Sequence, residues 1–395
     1  MNVYADNAAT TAMSETALNT MIPLLKTGYG NASSLYGVGQ TAKEYLENAR
    51  KTVADCLGAK PNEIYFTSGG SEADNQALLS AAMIGKRKGK TQIISTKFEH
   101  HAVLHSLDRL KTMGFDIVLL DVNSDGIVRP EQVAEAITDN TCLVSVMYAN
   151  NEIGTIQPIR EIGKICREKG VIFHTDAVQA AGHIPVNVAD DNIDMLSVSA
   201  HKFHGPKGVG VLYAKTGIRL TNLIEGGAQE RGKRAGTENV PGICAMAAAL
   251  KEACDNMEEN SKKVSAIRDR VIDGLSEIPH SRLNGARSPR LPGNVNFCFE
   301  GIEGESILLK LDDLGIQASS GSACTSGSLD PSHVLLAIGV PHEIAHGSLR
   351  LTFCETNTLE QADYVVKSVK EVVNYLRNMS PVWRDLETGV AKHII

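Results

Sequence analysis

Between residues 41 and 215, stretches with helical spacing of apolar residues alternate with short apolar runs. "TAKEYLENARKTVADCLG" precedes "EIYFTS", "SEADNQALLSAAMIG" precedes "TQIIST", and "HAVLHSLDRLKTMG" precedes "FDIVLLDV". "RPEQVAEAIT" then precedes "TCLVSVMYA", and "IREIGKICREKG" precedes "VIFHTDA". A helix between successive strands carries the chain back to the start of a parallel neighbour, so this alternation predicts a mostly parallel sheet covered by helices on both faces. In such an α/β sheet ligands bind at the carboxyl ends of the strands, and polar residues there carry the most weight.

Two further strands, "DMLSVSA" and "GVGVLYA", are joined by a short Gly/Pro turn, and the crossover pattern stops there. One long helix is expected from near Pro241, followed by strand "NVNFCFEG", helix "GESILLKLDDLG", a Ser/Gly stretch, strand "SLRLTF" and helix "TLEQADYVVKSVKEVVNYLRNM". The expected division is an N-terminal segment 1–20 packing on a small domain, a large domain 21–257, and a small C-terminal α/β domain 258–395. The formal net charge of -7 and the lack of a long apolar run argue against nucleic-acid and membrane partners. The N-terminus has no signal-peptide pattern, which points to the cytoplasm. Eight cysteines include no C-x-x-C pair, and seven of them read as reduced, mostly buried thiols.

The eighth, Cys324, sits in "SSGSACTSGS", an unusually polar and flexible setting for a thiol. Lys202, in "SVSAHKFHGPKGVG", falls just past a strand between His201 and His204. It is either a surface lysine or a desolvated amine able to form a Schiff base. Asp176, in "VIFHTDAVQ" with Gln179 just beyond, is a loop carboxylate, a helix cap, or the acidic partner that a pyridoxal phosphate ring nitrogen requires. "YFTSGGSEADN" places Gly70 and Ser71 where a strand turns into a helix, an anion cradle that matches neither the triphosphate nor the dinucleotide motif. His100, in "TKFEHHAVLH", is placed to stack on a planar coenzyme and move protons, its reference pKa lying near neutrality. His101 and His105 share a helix face, but no third metal ligand has a recognisable spacing.

Together "YADNAATT", "TSGGSEADN", "EHHAVL", "YANNEIGTIQPI", "HTDAVQAAG", "SAHKFHGPKGVG", "RAGTEN", "SSGSACTSGSLDPSHVL" and "AHGSLRLTF" resemble the cysteine desulfurases of the NifS/IscS class, within the class-V aminotransferases. The resemblance runs from residue 3 to about 381. It implies a fold-type I transferase dependent on pyridoxal 5'-phosphate, with a mostly parallel seven-stranded sheet. It further implies that Lys202 holds the coenzyme, Asp176 meets its ring nitrogen, His100 stacks on the ring and Gln179 contacts the ring oxygen. Gly70, Ser71, Ser199, His201 and, from a second subunit, Thr237 would hold the phosphate, which makes the enzyme a homodimer. Arg350 would grip the L-cysteine carboxylate, with Asn151 assisting at coenzyme and substrate.

The implied reaction converts L-cysteine to L-alanine and leaves a persulfide on Cys324. That sulfur passes to an iron-sulfur scaffold or another acceptor protein, and Cys324 would also serve as a transient iron-sulfur ligand. A selenocysteine lyase or related β-eliminating lyase, and a cluster-ligating assembly protein without catalysis, are the alternatives. The chain departs from the family pattern N-P-S-S-x-H at "NASSLY", with Ala32 and Tyr36 in place of proline and histidine. The tail from Ser380 carries the only tryptophan, Trp383, and reads as an acceptor-docking element or a frayed terminus.

Overall fold

In the computed structural model, which describes residues 1–321 and 331–395, β1 (Val3–Tyr4) leads the chain. Seven strands follow as one sheet: β2 (Ile64–Thr67), β3 (Gln92–Thr96), β4 (Asp116–Leu120), β5 (Thr141–Ser145), β6 (Ile172–Asp176), β7 (Met195–Ser199) and β8 (Gly210–Ala214). Their order is β2-β8-β7-β6-β5-β3-β4, with only β8 antiparallel to its neighbours. Because β8 is antiparallel on both sides, β2 points the same way as β7. The carboxyl ends of β2, β3, β5, β6 and β7 therefore share one edge.

Both faces of this sheet are buried, as the unbroken apolar runs predict, except at the edge strand β4, where Leu119 is exposed. Successive strand residues point to opposite faces. Ile93, Leu143, Met195 and Leu212 join Ala77 and Leu78 of the helix Gly70–Arg87 in one core. Their neighbours Ile94, Val144, Leu196 and Val211 join Val53, Ile162 and Met246 in another, against helices Gly37–Leu57, Ile159–Lys169 and Val240–Asp255. The single long helix expected after Pro241 is two helices, Val240–Asp255 and Met257–Ser276, separated at Asn256. Asn256 (φ -102°, ψ 8°) leaves the helical region, and a helical periodicity on either side cannot reveal such a one-residue break.

The second half is built on β9 (Ser281–Leu283), β10 (Asn294–Phe299), β11 (Ile316–Gln317) and β12 (Ser348–Thr352). β12, β10 and β9 form an antiparallel sheet, and β1 pairs in parallel with β11. A separate core gathers Val3 and Ala5 with Ile267, Phe297, Leu349 and Val369. Farther along the N-terminal segment the partners change: Thr11 and Ser14 donate their backbone N–H groups to the carbonyls of His201 and His204.

The C-terminal tail is packed, which excludes the frayed terminus. Trp383, in the helix Pro381–Glu387, is buried under the Arg377 guanidinium, 3.9 Å from its ring centre. Glu300 then accepts from the imidazole of His393 and from the Ile394 N–H. No helix among the described residues is long and apolar enough to cross a membrane.

Candidate active site

One cavity of about 190 Å³ opens at the shared carboxyl edge. Its walls carry Gly70, Ser71, His100, Asn151, Asp176, Gln179, Ser199, His201, Lys202 and Arg350, ten residues expected from the sequence and drawn from six separate stretches. Thr237 is not among them; it is exposed and lines a neighbouring cleft with Ser68, Gly208 and Arg234. Cys324 and its expected mobility lie outside the described residues.

Lys202 ends a single helical turn, Ala200–Lys202, that leaves β7. Its Nζ donates to the carbonyls of Ala8 (2.6 Å) and Ala9 (2.8 Å), so the N-terminal segment forms one wall of the cavity. That segment is held from the other half: Asn7 Nδ2 donates to the Thr352 carbonyl, and the Ala8 N–H to Thr352 Oγ1, each at 2.8 Å. Gln179 Nε2 also donates to the Ala8 carbonyl, at 3.1 Å. Sequence reasoning singled out "YADNAATT" without giving it a task, because backbone carbonyls leave no residue-type signal.

Asp176 ends β6, and its Oδ1 accepts from the Val178 N–H at 2.9 Å. Burial pushes its carboxyl up to about 6, against the pull of the Val178 N–H and of nearby Lys202. Asp74, which the sequence did not single out, lines the same cavity and is also pushed up, by burial and by the Asp176 charge. His100 caps the helix His101–Thr112: its Nδ1 accepts from the Ala102 N–H at 3.1 Å, which leaves the ring proton on Nε2. Burial, with help from Lys202 and the nearby histidines, lowers His100 to about 4. The near-neutral basicity expected from its reference value is therefore absent, and at neutral pH it is a neutral imidazole. His201, with Nδ1 facing Thr10 Oγ1 at 3.1 Å, is likewise lowered to about 4 by burial and by Lys202.

Ser71 is the second residue of the helix Gly70–Arg87, whose unpaired N–H groups make the positive end of a dipole. Gly210 permits this approach: a Cβ there would lie 2.6 Å from the Gly69 Cα. Arg350 stands in the middle of β12 and is 1% exposed. Its guanidinium reaches Asp6 Oδ1 at 2.9 Å and the Asn151 carbonyl at 3.2 Å, while Nε has no partner among the described residues. Asp6 was missed because its partner is 344 residues away. Both flanks of the 322–330 segment abut the site: Ser319 exchanges backbone hydrogen bonds with Arg350, and Ser332 Oγ donates to the buried Glu152 carboxylate.

Behind His100, Glu99 is fully enclosed and accepts from Thr96 Oγ1 (2.7 Å) and the Met147 N–H (3.0 Å). Burial holds its carboxyl up to about 8. Between the ordinary carboxylate value and 8 the folded chain keeps a proton that the unfolded chain releases, so this group's stabilisation falls as pH rises through that window. Glu99→Gln is expected to flatten the fall in thermal midpoint between about pH 5 and pH 8. An unchanged slope in Glu99→Gln would show that this carboxyl is not the one titrating.

A lysine, a buried carboxylate, a histidine and a helix N-terminus at the carboxyl edge of a sheet in this strand order define a fold-type I transferase. The class-V aminotransferase family model matches residues 3–365. A Clostridium botulinum protein named cysteine desulfurase IscS is 54% identical over 386 residues, covering 97% of each chain. Its namesake in Methanosarcina thermophila is 53% identical over 96% of this chain and 94% of its own. A solved NifS-like protein superposes with a TM-score of 0.90 at 38% identity, covering 95% of this chain and 100% of its own. A structure described as SspA in complex with cysteine gives 0.80 at 34% identity, covering 89% and 99%. The chain belongs to the class-V aminotransferase family, and within it to the cysteine desulfurases of the NifS/IscS class.

Proposed function

We propose that this cysteine desulfurase holds pyridoxal 5'-phosphate in the cavity around Lys202 and uses it to move sulfur from L-cysteine to Cys324. The observation that carries the reading is the meeting of Lys202, Asp176, His100, Arg350 and the Gly70–Ser71 helix start in one cavity. The donor set fits the coenzyme. A carboxyl raised by burial gains from meeting a protonated ring nitrogen, and the helix start with the Ser71 and Ser199 hydroxyls suits a phosphate. When bound, the coenzyme supplies an electron sink that makes the bond to the substrate sulfur labile.

Lys202 would anchor the coenzyme and carry protons near it, and the Ala8 and Ala9 carbonyls orient its amine. His100, neutral with its proton on Nε2, would stack on the coenzyme and donate a hydrogen bond from that atom. Arg350 would bind the substrate carboxylate, with the Asp6 and Asn151 contacts holding its fork in place. The Cys324 thiolate attacks the substrate sulfur, forming an S–S bond as the C–S bond breaks. The electron pair of the broken bond stays with carbon, which takes a proton to become alanine.

The exposure of Thr237 away from the Lys202 cavity supports its donation to the phosphate site of a second copy, and so a homodimer. The persulfide sulfur then goes to an acceptor protein such as an iron-sulfur scaffold. Replacing Cys324 by alanine should retain the coenzyme absorbance and reduce alanine formation, measured with a thiol acceptor present, by on the order of 10²-fold or more. Wild-type turnover in that variant rejects the persulfide step, and loss of the absorbance makes Cys324 a structural residue.

A further inference from the structure

A second cavity of about 190 Å³ lies behind the N-terminal wall of the active site, sharing Ala8 and Gln179 with it. It sits between the two halves of the chain, with Phe203 and Ala249 from one core and Val264 and Phe353 from the other. On its wall His204, Cys354 and Glu355 bring an imidazole nitrogen, a thiol sulfur and a carboxylate oxygen within 4.8 Å of one another. None of the three has a task in the reaction above.

The histidine is set up as a ligand. His204 adopts φ 64°, a left-handed conformation unusual for a side-chain-bearing residue. Its backbone N–H donates to Thr11 Oγ1, and its Nδ1 lies 2.9 Å from the Ala12 carbonyl. A carbonyl has no proton to give, so Nδ1 carries the hydrogen and the ring is locked with Nε2 facing the cluster. That arrangement, one ring nitrogen on a backbone carbonyl and the other aimed at a metal, is how protein imidazoles are oriented for coordination. Nε2 is 3.2 Å from Glu355 Oε1 and also faces the Cys354 thiol, so the three ligand atoms already converge on one point. Cys354 Sγ lies 3.1 Å from Thr356 Oγ1, and its backbone N–H is held by Asn357 Oδ1 at 2.9 Å.

We propose that His204, Cys354 and Glu355 form a zinc site, with a fourth position open to this second cavity. A thiolate and a carboxylate balance the charge of a divalent ion, which would displace the proton that Cys354 and Glu355 favour on His204 in the metal-free protein. The mixed sulfur, nitrogen and oxygen set favours zinc over magnesium or calcium. Bond lengths of about 2.0–2.3 Å in a tetrahedral site require ligand atoms roughly 3.3–3.8 Å apart, so atoms now within 4.8 Å would close by up to about 1–1.5 Å on binding. A comparable trio, His280, Glu300 and His393, is less suited: His280 Nδ1 already faces the Ile395 carbonyl at 2.6 Å, and both Glu300 oxygens are engaged by His393 and the Ile394 N–H. Bound zinc would tie the turn after Lys202 to the end of β12, four and five residues beyond Arg350.

The test uses the full-length holoprotein carrying Cys324→Ser, which removes the reaction thiol as a competing ligand. Equilibrium dialysis against zinc chloride should give one zinc per chain. Adding Cys354→Ser or Glu355→Gln should weaken binding by roughly 10- to 100-fold or more. In the parent, zinc should slow alkylation of Cys354, followed by peptide mapping, while magnesium should not; this readout needs no substitution at the site. Unchanged zinc affinity in both variants, or Cys354 alkylation indifferent to zinc, would overturn the proposal and leave His204 as an imidazolium paired with Glu355.

Discussion

Lys202→Ala is expected to abolish the near-visible absorbance of the bound coenzyme and to lower alanine formation from L-cysteine by on the order of 10⁴-fold. Two functions disappear with one amine: the covalent anchor, and the base that carries protons once substrate has displaced it. The Nζ atom also donates to the Ala8 and Ala9 carbonyls at the cavity wall. Lys202→Arg keeps the charge and its contacts with those carbonyls but cannot form the Schiff base, so it should be equally inactive. Substantial turnover in either variant would move the reaction centre away from Lys202.

Arg350→Lys is expected to lower kcat/KM for L-cysteine by roughly 30- to 1000-fold, equivalent to about 2–4 kcal/mol, while leaving the coenzyme absorbance in place. Lysine preserves a positive charge opposite Asp6, so the buried pair is not broken outright. What it loses is the planar fork that meets a carboxylate with two parallel hydrogen bonds. Arg350→Ala should lose a similar amount of activity and also stability, because Asp6 is left without its charged partner. A kcat/KM within threefold of the parent in Arg350→Lys, measured with alanine as product, would show that the substrate carboxylate is held elsewhere.

Most of the larger sheet was readable from periodicity alone. Its strands are buried on both faces and appear as short apolar runs between amphipathic helices, and that pattern dictates parallel pairing wherever a helix intervenes. β1, β9 and β11 escaped notice because strands of two or three residues are too short for an alternation to register. The break at Asn256 escaped for the opposite reason, since both flanking segments keep a helical spacing. Of the site, residues following strand ends were legible because α/β sheets bind ligands there. Asp74 was not, as it sits within the first turns of a helix and resembles a solvent-facing acid by type.

The chain's local patterns determined which residue types reach the carboxyl edge: an amine after β7, a carboxylate ending β6, an imidazole after β3 and a glycine turn after β2. Each follows from a strand and the few residues beyond it. Only the tertiary structure decided how those groups are charged and held. Ala8 meets Lys202 across 194 positions of chain, Asp6 meets Arg350 across 344, and burial rather than a neighbouring motif lowers His100 and raises Asp176 and Glu99. Desolvation and long-range pairing depend on which elements the sheet order and the two cores bring together, and no local period encodes that order.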